Sequence, residues 1–542
     1  MVVPELGPWR AARPHVARIA GTVRPRLARA AETLRPRLAR LAAAAGPRFA
    51  RPDRPGSPQV PRVARPKTWQ FTATAATAGL ALAAGVVTAA GPWDSSGQRT
   101  AERDRAVALE AARGTDHGGA PAHAGTPPRG PRAVPPAASV LTGLGGTATT
   151  VRSAPSAKAL TGVLDPLLNT PALGRRSAAV VDVATGRRLY GSGAADALVP
   201  ASTTKIATAV AALSALGSDH RLTTRTVYEP DTEEVVLVGG GDPTLTARAE
   251  THGLAGLRDL AERTAAALAK RGLREVTLSY DTTLYKGGTM HPIGVNPNLA
   301  AVTPLMVDEA RTDDSTSGPA PRVPDPAADA ARRFGELLKE HGIKATPPGP
   351  SKSTTRASTL ATVSSPPLAA LVERMLTNSD NDLAEALARH TALATGRPAD
   401  FDGAGEAITA RLKQLGLPVK GADVKDGSGL DRRDKLTADL LTALLVKAGD
   451  PAHPELRPAL TGLPVAGFTG TLSGRYADGA AGVVRAKTGT LTGVNTLAGT
   501  VVDKDGRLLA FAFLANGTGA PAAAQSALDK AATALSACGC RP

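Results

Sequence analysis

Apolar and polar positions recur along this chain with two different periods, and the switches between them mark its parts. From Pro200 onward the run Ala-Ser-Thr-Thr-Lys-Ile-Ala-Thr-Ala-Val-Ala-Ala-Leu213 predicts a helix starting near Ser202 that buries its Ile206, Val210 and Leu213 face. A short amphipathic helix is expected over Leu160–Leu168. The short apolar run Ser177–Val183 and Arg187–Tyr190, joined by Ala-Thr-Gly, predict a β-hairpin between the two helices. Thr223–Glu229, Glu233–Val238 and Glu275–Tyr280 read as strands, with helices over about 252–270 and Pro326–His341. Helical spacing returns in Leu368–Met375, Asp380–Leu393 and Thr437–Val446, and Lys425–Leu430 between them is a tight loop. Near the end Gly482–Lys487, Thr496–Val502 and Arg507–Leu514 read as strands. The turn Asp503-Lys-Asp-Gly506 joins the last two, and Pro521–Ala537 closes the chain as a helix.

Helices at each end, antiparallel strands beside them and an all-helical middle predict an α+β fold. The separate α/β set at 222–355 interrupts it and reads as an inserted domain, which leaves 158–221 and 356–542 to the main domain. The first 157 residues carry no such pattern. Residues 1–68, rich in Arg, Ala and Pro, read as a basic and mostly disordered tail, with a basic helix on an anionic membrane surface as the alternative. Residues 71–91 are uncharged and bracketed by Trp69 and Trp93, so 69–93 is expected to be a transmembrane anchor, with a cleaved signal peptide as the rival. Arg62, Arg65 and Lys67 before it and Asp94 after it predict a cytoplasmic N-terminus and an exported remainder in the cell membrane. Residues 94–157, Gly-, Pro- and Ala-rich, read as a flexible tether.

Net charge changes the picture little. Of the formal +16, residues 1–70 hold +12, so about +4 is left for the rest, and aromatic residues are only 3%. Neither a basic groove nor a stacking platform for nucleic acid is indicated. Cys538 and Cys540 are too few for a metal site; they either pair with each other under some strain or do nothing, and the second is the expectation.

Candidate chemistry is concentrated in three short motifs. Ser202 and Lys205 lie three apart at a helix start, on one face, where free N–H groups and the dipole favour negative charge on Ser202. Alone, such a pair is usually a capped helix with a solvated lysine. Here Ser379-Asp380-Asn381 follows on a helical pattern and Lys487-Thr488-Gly489 on a late strand, the order found in β-lactamases and penicillin-binding proteins. Together they supply the parts of acyl transfer from an amide. Ser202 is the nucleophile and Lys205, made neutral by burial and by Lys487, its base. The Ser202 and Thr490 N–H groups form the oxyanion hole. Ser379 relays a proton to the departing amine, Asn381 holds the substrate amide, and Lys487, Thr488 and Thr490 suit a terminal carboxylate. Asp382, a charge directly after the second motif, leaves the start of that helix open.

With these motifs the chain resembles the D-alanyl-D-alanine carboxypeptidases/endopeptidases, the class C low-molecular-mass penicillin-binding proteins. Leu237-Val-Gly-Gly-Gly-Asp-Pro-Thr-Leu245, Tyr280-Asp-Thr-Thr-Leu-Tyr285, Asp426-Gly-Ser-Gly-Leu430 and Leu463-Pro-Val-Ala-Gly467 with Gly470-Thr-Leu472 are similar to that family's pattern, and the match covers roughly 160–537. The resemblance implies a penicillin-recognising fold with an insertion after the first motif, an acyl-enzyme on Ser202, peptidoglycan stem peptides as substrate, and β-lactams as acylating inhibitors. It implies no cofactor and no metal. At Asp281 it implies an acidic residue that pairs with the free ammonium of the stem peptide's diamino residue; the plainer reading is that Asp281 caps a turn. Two other functions use the same residues: a serine β-lactamase, for which no Glu-x-x-Leu-Asn type loop is apparent, and a catalytically idle membrane-tethered binding protein.

Overall fold

A computed structural model describes residues 155–476 and 479–539. The expected basic tail, the anchor, and the tether up to residue 154 lie outside the described residues. The chain enters through α1 (Ala157–Leu168), capped by the Ser156 hydroxyl, then the hairpin β1 (Arg175–Asp182) and β2 (Arg188–Ser192), then α2 (Thr204–Leu216). β3 (Thr223–Glu229), β4 (Glu234–Val238), α3 (Leu257–Lys270), β5 (Glu275–Asp281), α4 (Pro326–Glu340), β6 (Lys344–Ala345), β7 (Gly349–Pro350) and β8 (Ser358–Ser364) follow. The helical layer then continues with α5 (Leu368–Asn378), α6 (Asn381–Ala394), α7 (Phe401–Gln414), α8 (Ala438–Gly449) and α9 (Pro458–Thr461). Strands β9 (Val484–Leu491), β10 (Val494–Val502) and β11 (Leu508–Asn516) and helix α10 (Pro521–Ala537) complete the described fold.

The main sheet is antiparallel, in the order β2-β1-β11-β10-β9, and is sandwiched between two helical layers. Strand alternation divides its side chains. Leu509, Phe511, Phe513 and Ala515 pack with Leu160, Leu164, Leu528 and Leu535 of α1 and α10. Ala510, Ala512 and Leu514 face the opposite way, into a core with Ile206, Val210, Leu383 and Leu441. Each fully buried leucine is worth about 2 kcal/mol of burial. Pairing is in register across four strands: Ala179 opposes Ala512, Ala512 opposes Ala498, and Ala498 opposes Lys487. Directly paired residues share a face, so this row of small side chains lets the helices approach and ends by aiming Lys487 into the helical layer. Lys487 is accordingly fully buried.

The second sheet, in the order β6-β5-β4-β3-β8, is mixed, with β4–β5 and β5–β6 parallel. Helices α3 and α4 cover one face, packing Leu260, Leu268, Phe334 and Leu338 on Val235, Leu237 and Leu278. This sheet begins after α2 and continues beyond residue 355, where the inserted segment was expected to end, because β8 pairs with β3. Ser358–Ser364 is Ser- and Thr-rich and buries only Ala361 and Val363, the signature of an edge strand. Cys538, expected to be idle, is disulfide-bonded.

Candidate active site

The nucleophile motif sits at a tight junction. Ala201–Thr203 forms a single 3₁₀ turn leading into α2, and Ala201 is held at a φ of 47°, a left-handed conformation that costs an alanine about 1 kcal/mol. The Pro200 carbonyl anchors the turn, accepting from Thr203 Oγ1 at 2.7 Å and from Thr496 Oγ1 of β10 at 2.8 Å. Two glycines bring the neighbouring backbones against it. A Cβ on Gly489 of β9 would lie 2.1 Å from Thr496 Oγ1 and 2.7 Å from the Pro200 carbonyl oxygen, and one on Gly429 would lie 2.0 Å from the Ala201 carbonyl oxygen. The glycine of Lys-Thr-Gly is thus a spacing device. Ser202 itself remains half-buried and reachable.

Lys205 is fully buried, and its Nζ donates to Ser202 Oγ at 3.1 Å, Asn381 Oδ1 at 2.6 Å and the Ser428 carbonyl at 2.7 Å. Burial lowers its pKa to about 8, opposed by the charges of Asp426, Glu385, Asp380 and Asp434. Lys487 is held well below the ordinary lysine range by burial and then by the charge of Lys205, and its Nζ donates to the Thr488 carbonyl at 2.9 Å. Thr488 and Thr490 alternate to the other face of edge strand β9. Thr488 Oγ1 meets Thr471 Oγ1 at 3.0 Å, while Thr490 is exposed.

The second motif is a helix-to-helix corner. Ser379, half-buried, ends α5 in the left-handed conformation at φ 59°, and Asp380 caps α6 by accepting the Leu383 N–H at 3.0 Å. This reversal delivers Asn381 to Lys205, and Asn381 Nδ2 donates to the Asn298 carbonyl at 2.8 Å. The charge at Asp382 does not disturb the helix start. Buried, it accepts from Arg322 Nη1 at 2.8 Å and from the Ala300 N–H at 3.0 Å.

Several supporting groups lie outside the three catalytic motifs: Asp426 and the Ser428 carbonyl, in the Asp426–Leu430 stretch of the resemblance, and Glu385, His291 and Asn298, which belong to no motif. Glu385 Oε1 accepts the Gly427 and Ser428 N–H groups, and its Oε2 meets Arg389 at 3.1 Å. The ligand atoms of His291, Glu385 and Asp426 lie within 4.8 Å of one another, as do those of Glu309, Asp380 and Asp382. Their lone pairs already serve N–H and hydroxyl donors, and Arg389, or Arg311, Arg322 and Arg374, supply the cations, so both clusters are built as ion-pair networks.

Asp281 stands elsewhere. It ends β5, is 4% exposed, and accepts the Thr283 N–H at 2.7 Å and the Ser353 N–H and hydroxyl at 2.9 and 3.0 Å. Burial raises its pKa but these hydrogen bonds outweigh it, holding the carboxyl below its ordinary value. It lines a cavity of about 610 Å³ together with His220, Arg221, His390 and Ser353, apart from the three motifs.

The sequence pattern of the D-Ala-D-Ala carboxypeptidase 3 (S13) family matches residues 160–316 and 312–535. The chain belongs to that family. It is a serine-type D-Ala-D-Ala carboxypeptidase on an α+β penicillin-binding fold with an inserted domain. A carboxypeptidase of Mycobacterium tuberculosis is 38% identical over 404 residues, 71% of this chain and 85% of that one. Carboxypeptidase DacB of Mycolicibacterium smegmatis is 38% identical over 430 residues, 75% and 91% of the two chains. Among solved structures, penicillin binding protein 4 from Haemophilus influenzae covers 70% of this chain and 98% of its own, with a TM-score of 0.56 at 21% identity, a likeness of fold. S13 membership sets the β-lactamase alternative aside.

Proposed function

We propose that the chain removes the terminal D-alanine of peptidoglycan stem peptides through an acyl-enzyme on Ser202. Neutral Lys205 takes the Ser202 proton as Oγ attacks the penultimate carbonyl. The oxyanion is received by the Ser202 and Thr490 N–H groups. Ser379 passes the proton to the departing D-Ala amine, Asn381 orients both Lys205 and the substrate amide, and Lys487 with the Thr488–Thr490 edge holds the terminal carboxylate. Water then attacks the ester, with Lys205 again as base. The observation that carries this reading is the buried Lys205 Nζ at 3.1 Å from Ser202 Oγ. A penicillin binding protein 4 structure similar in fold is complexed with a β-lactam, and by extension β-lactams acylate Ser202 here. The test is labelling by a fluorescent penicillin together with D-Ala release. Both should vanish in Ser202→Ala, and label retained by that variant would remove the assignment. An idle binding protein would label without releasing D-Ala.

For Asp281 the turn-capping role is the better supported, since both carboxylate oxygens already accept hydrogen bonds. Asp281→Asn should then leave kcat/KM equal for stem peptides with and without a free side-chain amine; a loss confined to the amine-bearing peptide would favour the pairing role. For location we propose an anchor at 69–93 with the enzyme outside the membrane, supported by the charges flanking that stretch. Among the described residues no helix is long and apolar enough to cross a membrane. Protease added outside intact cells should cleave within 94–157; protection there, with digestion of 1–68, would reverse the orientation.

A further inference from the structure

His291 belongs to the irregular stretch of the inserted domain between β5 and α4, yet it is 2% exposed and its Nε2 lies 2.9 Å from Asp426 Oδ2, 135 residues away in sequence. Its Nδ1 accepts the Ile293 N–H at 3.2 Å, which puts the ring proton on Nε2 and makes His291 the donor to Asp426. The ring is wedged edge-on against Phe401, with centroids 5.2 Å apart.

Asp426 organises the loop that holds the base. Its Oδ1 accepts the Gly429 N–H at 2.6 Å, and its Oδ2 accepts the Asp431 N–H at 2.7 Å and the Ser428 hydroxyl at 3.3 Å. Those donors belong to the loop itself, so they give it shape without fixing it in space. Three outside groups fix it: Glu385 of α6 takes the Gly427 and Ser428 N–H groups, Thr208 of α2 donates its hydroxyl to the Gly427 carbonyl at 2.7 Å, and His291 alone, from the inserted domain, donates to Asp426. The Ser428 carbonyl so placed is one of the three acceptors of Lys205. We propose that His291 is a positioning residue for the general base, supplied by the inserted domain, and that it acts through Asp426 and the Ser428 carbonyl on Lys205. The inserted domain is then part of the acylation machinery. This rests on the reading of Lys205 as base.

The test uses full-length His291→Asn, His291→Gln and Lys205→Ala. Asn keeps an acceptor for the Ile293 N–H but is too short to reach Asp426, whereas the Gln amide extends to the position of Nε2. Second-order acylation by a fluorescent penicillin is measured from pH 6 to 9.5, with thermal midpoints alongside. His291→Asn should acylate roughly tenfold or more slowly, as expected for a lost hydrogen bond to a charged group. Its acid limb should move to higher pH, because the less neutralised Asp426 then favours charged Lys205. The other charges facing Lys205, from Asp434, Glu385, Asp380 and Lys487, are unchanged, and Glu385 remains beside residue 291. His291→Gln should recover to within about threefold. Wild-type rate and limb in His291→Asn while Lys205→Ala is inactive would overturn the proposal and spare the base. So would equal losses in Asn and Gln with an unmoved limb, which would mean lost packing alone. Wild-type acylation by Lys205→Ala would remove the base assignment and the proposal together.

Discussion

The amine of Lys205 lies closer to Asn381 Oδ1, at 2.6 Å, than to the hydroxyl of Ser202, at 3.1 Å. A neutral amide oxygen orients the amine without adding charge, and a carboxylate there would do the opposite. Asn381→Asp should raise the Lys205 pKa by about 1–3 units, the range for an opposite charge at this separation. Acylation at pH 7 should fall by roughly tenfold or more and recover at alkaline pH. Loss of rate with no movement of the pH profile would show that Asn381 acts on substrate alone.

The wild-type profile follows from the same lysine. Lys205 works as a base only when neutral, and its pKa is lowered to about 8. Acylation should therefore rise about tenfold per pH unit below that value and level above it, as the neutral fraction does. Stability runs in the same direction. Between about 8 and the ordinary value of 10.5 the unfolded chain binds the proton that the folded chain has lost, so this group's contribution grows as pH rises through that window. A rate–pH curve that is flat from pH 6 to 9 would contradict a lysine base.

Much of the fold was legible because the elements that carry the motifs also carry strong periodicity. The Ser202 helix, the hairpin before it and the closing helix Pro521–Ala537 fall where apolar spacing puts them. Helix α7 is not announced by the sequence pattern. Its first turns hold Gly403 and Gly405, poor helix formers, and both are required by contact: a Cβ would lie 2.1 Å from the Pro398 and Val424 carbonyl oxygens respectively. At the site, what escaped was whatever acts through backbone or across long sequence distance. The Ser428 carbonyl has no residue signature, and the His291–Asp426 contact joins segments that only the tertiary fold brings together.

Close approach makes a further prediction at Gly489. Replacing it with alanine must displace either Thr496 Oγ1 or the Pro200 carbonyl, and with them the turn that carries Ser202. The sheet contact is small, so stability should drop by only about 1–3 kcal/mol, the range for overpacking. Acylation should fall about a hundredfold, as expected when reacting groups move by about 1 Å. Thermal unfolding beside penicillin labelling separates the two effects, and undiminished labelling would show that the turn tolerates the shift.

The inserted domain also grips the second motif through Glu309, which is itself in a left-handed conformation at φ 53° between Asp308 and Ala310 in the same state. Its carboxylate meets Arg311 Nε at 2.8 Å and Arg374 Nη2 at 2.6 Å, and Arg374 also faces Asp380. Glu309→Ala removes a buried partner from two arginines and should destabilise by about 3–5 kcal/mol, whereas Glu309→Gln keeps hydrogen-bond acceptance and should cost less. Equal thermal midpoints for the alanine variant and the wild type would show that the network contributes nothing.

Lys487 gives the last prediction. Burial and the charge of Lys205 both disfavour its protonated form, so near pH 8 the empty site carries less than two positive charges on its two lysines. A carboxylate arriving beside Lys487 favours the charged form, so binding should take up protons. Ser202→Ala, which binds without turnover, allows this to be measured by calorimetry in buffers of different ionisation enthalpy. A peptide ending in D-Ala-D-Ala should bind with proton uptake, and with affinity that weakens as pH rises. The same peptide with an amidated C-terminus should bind more weakly and take up none. Equal proton uptake by acid and amide would place the carboxylate away from Lys487 and leave that lysine to act on Lys205 alone.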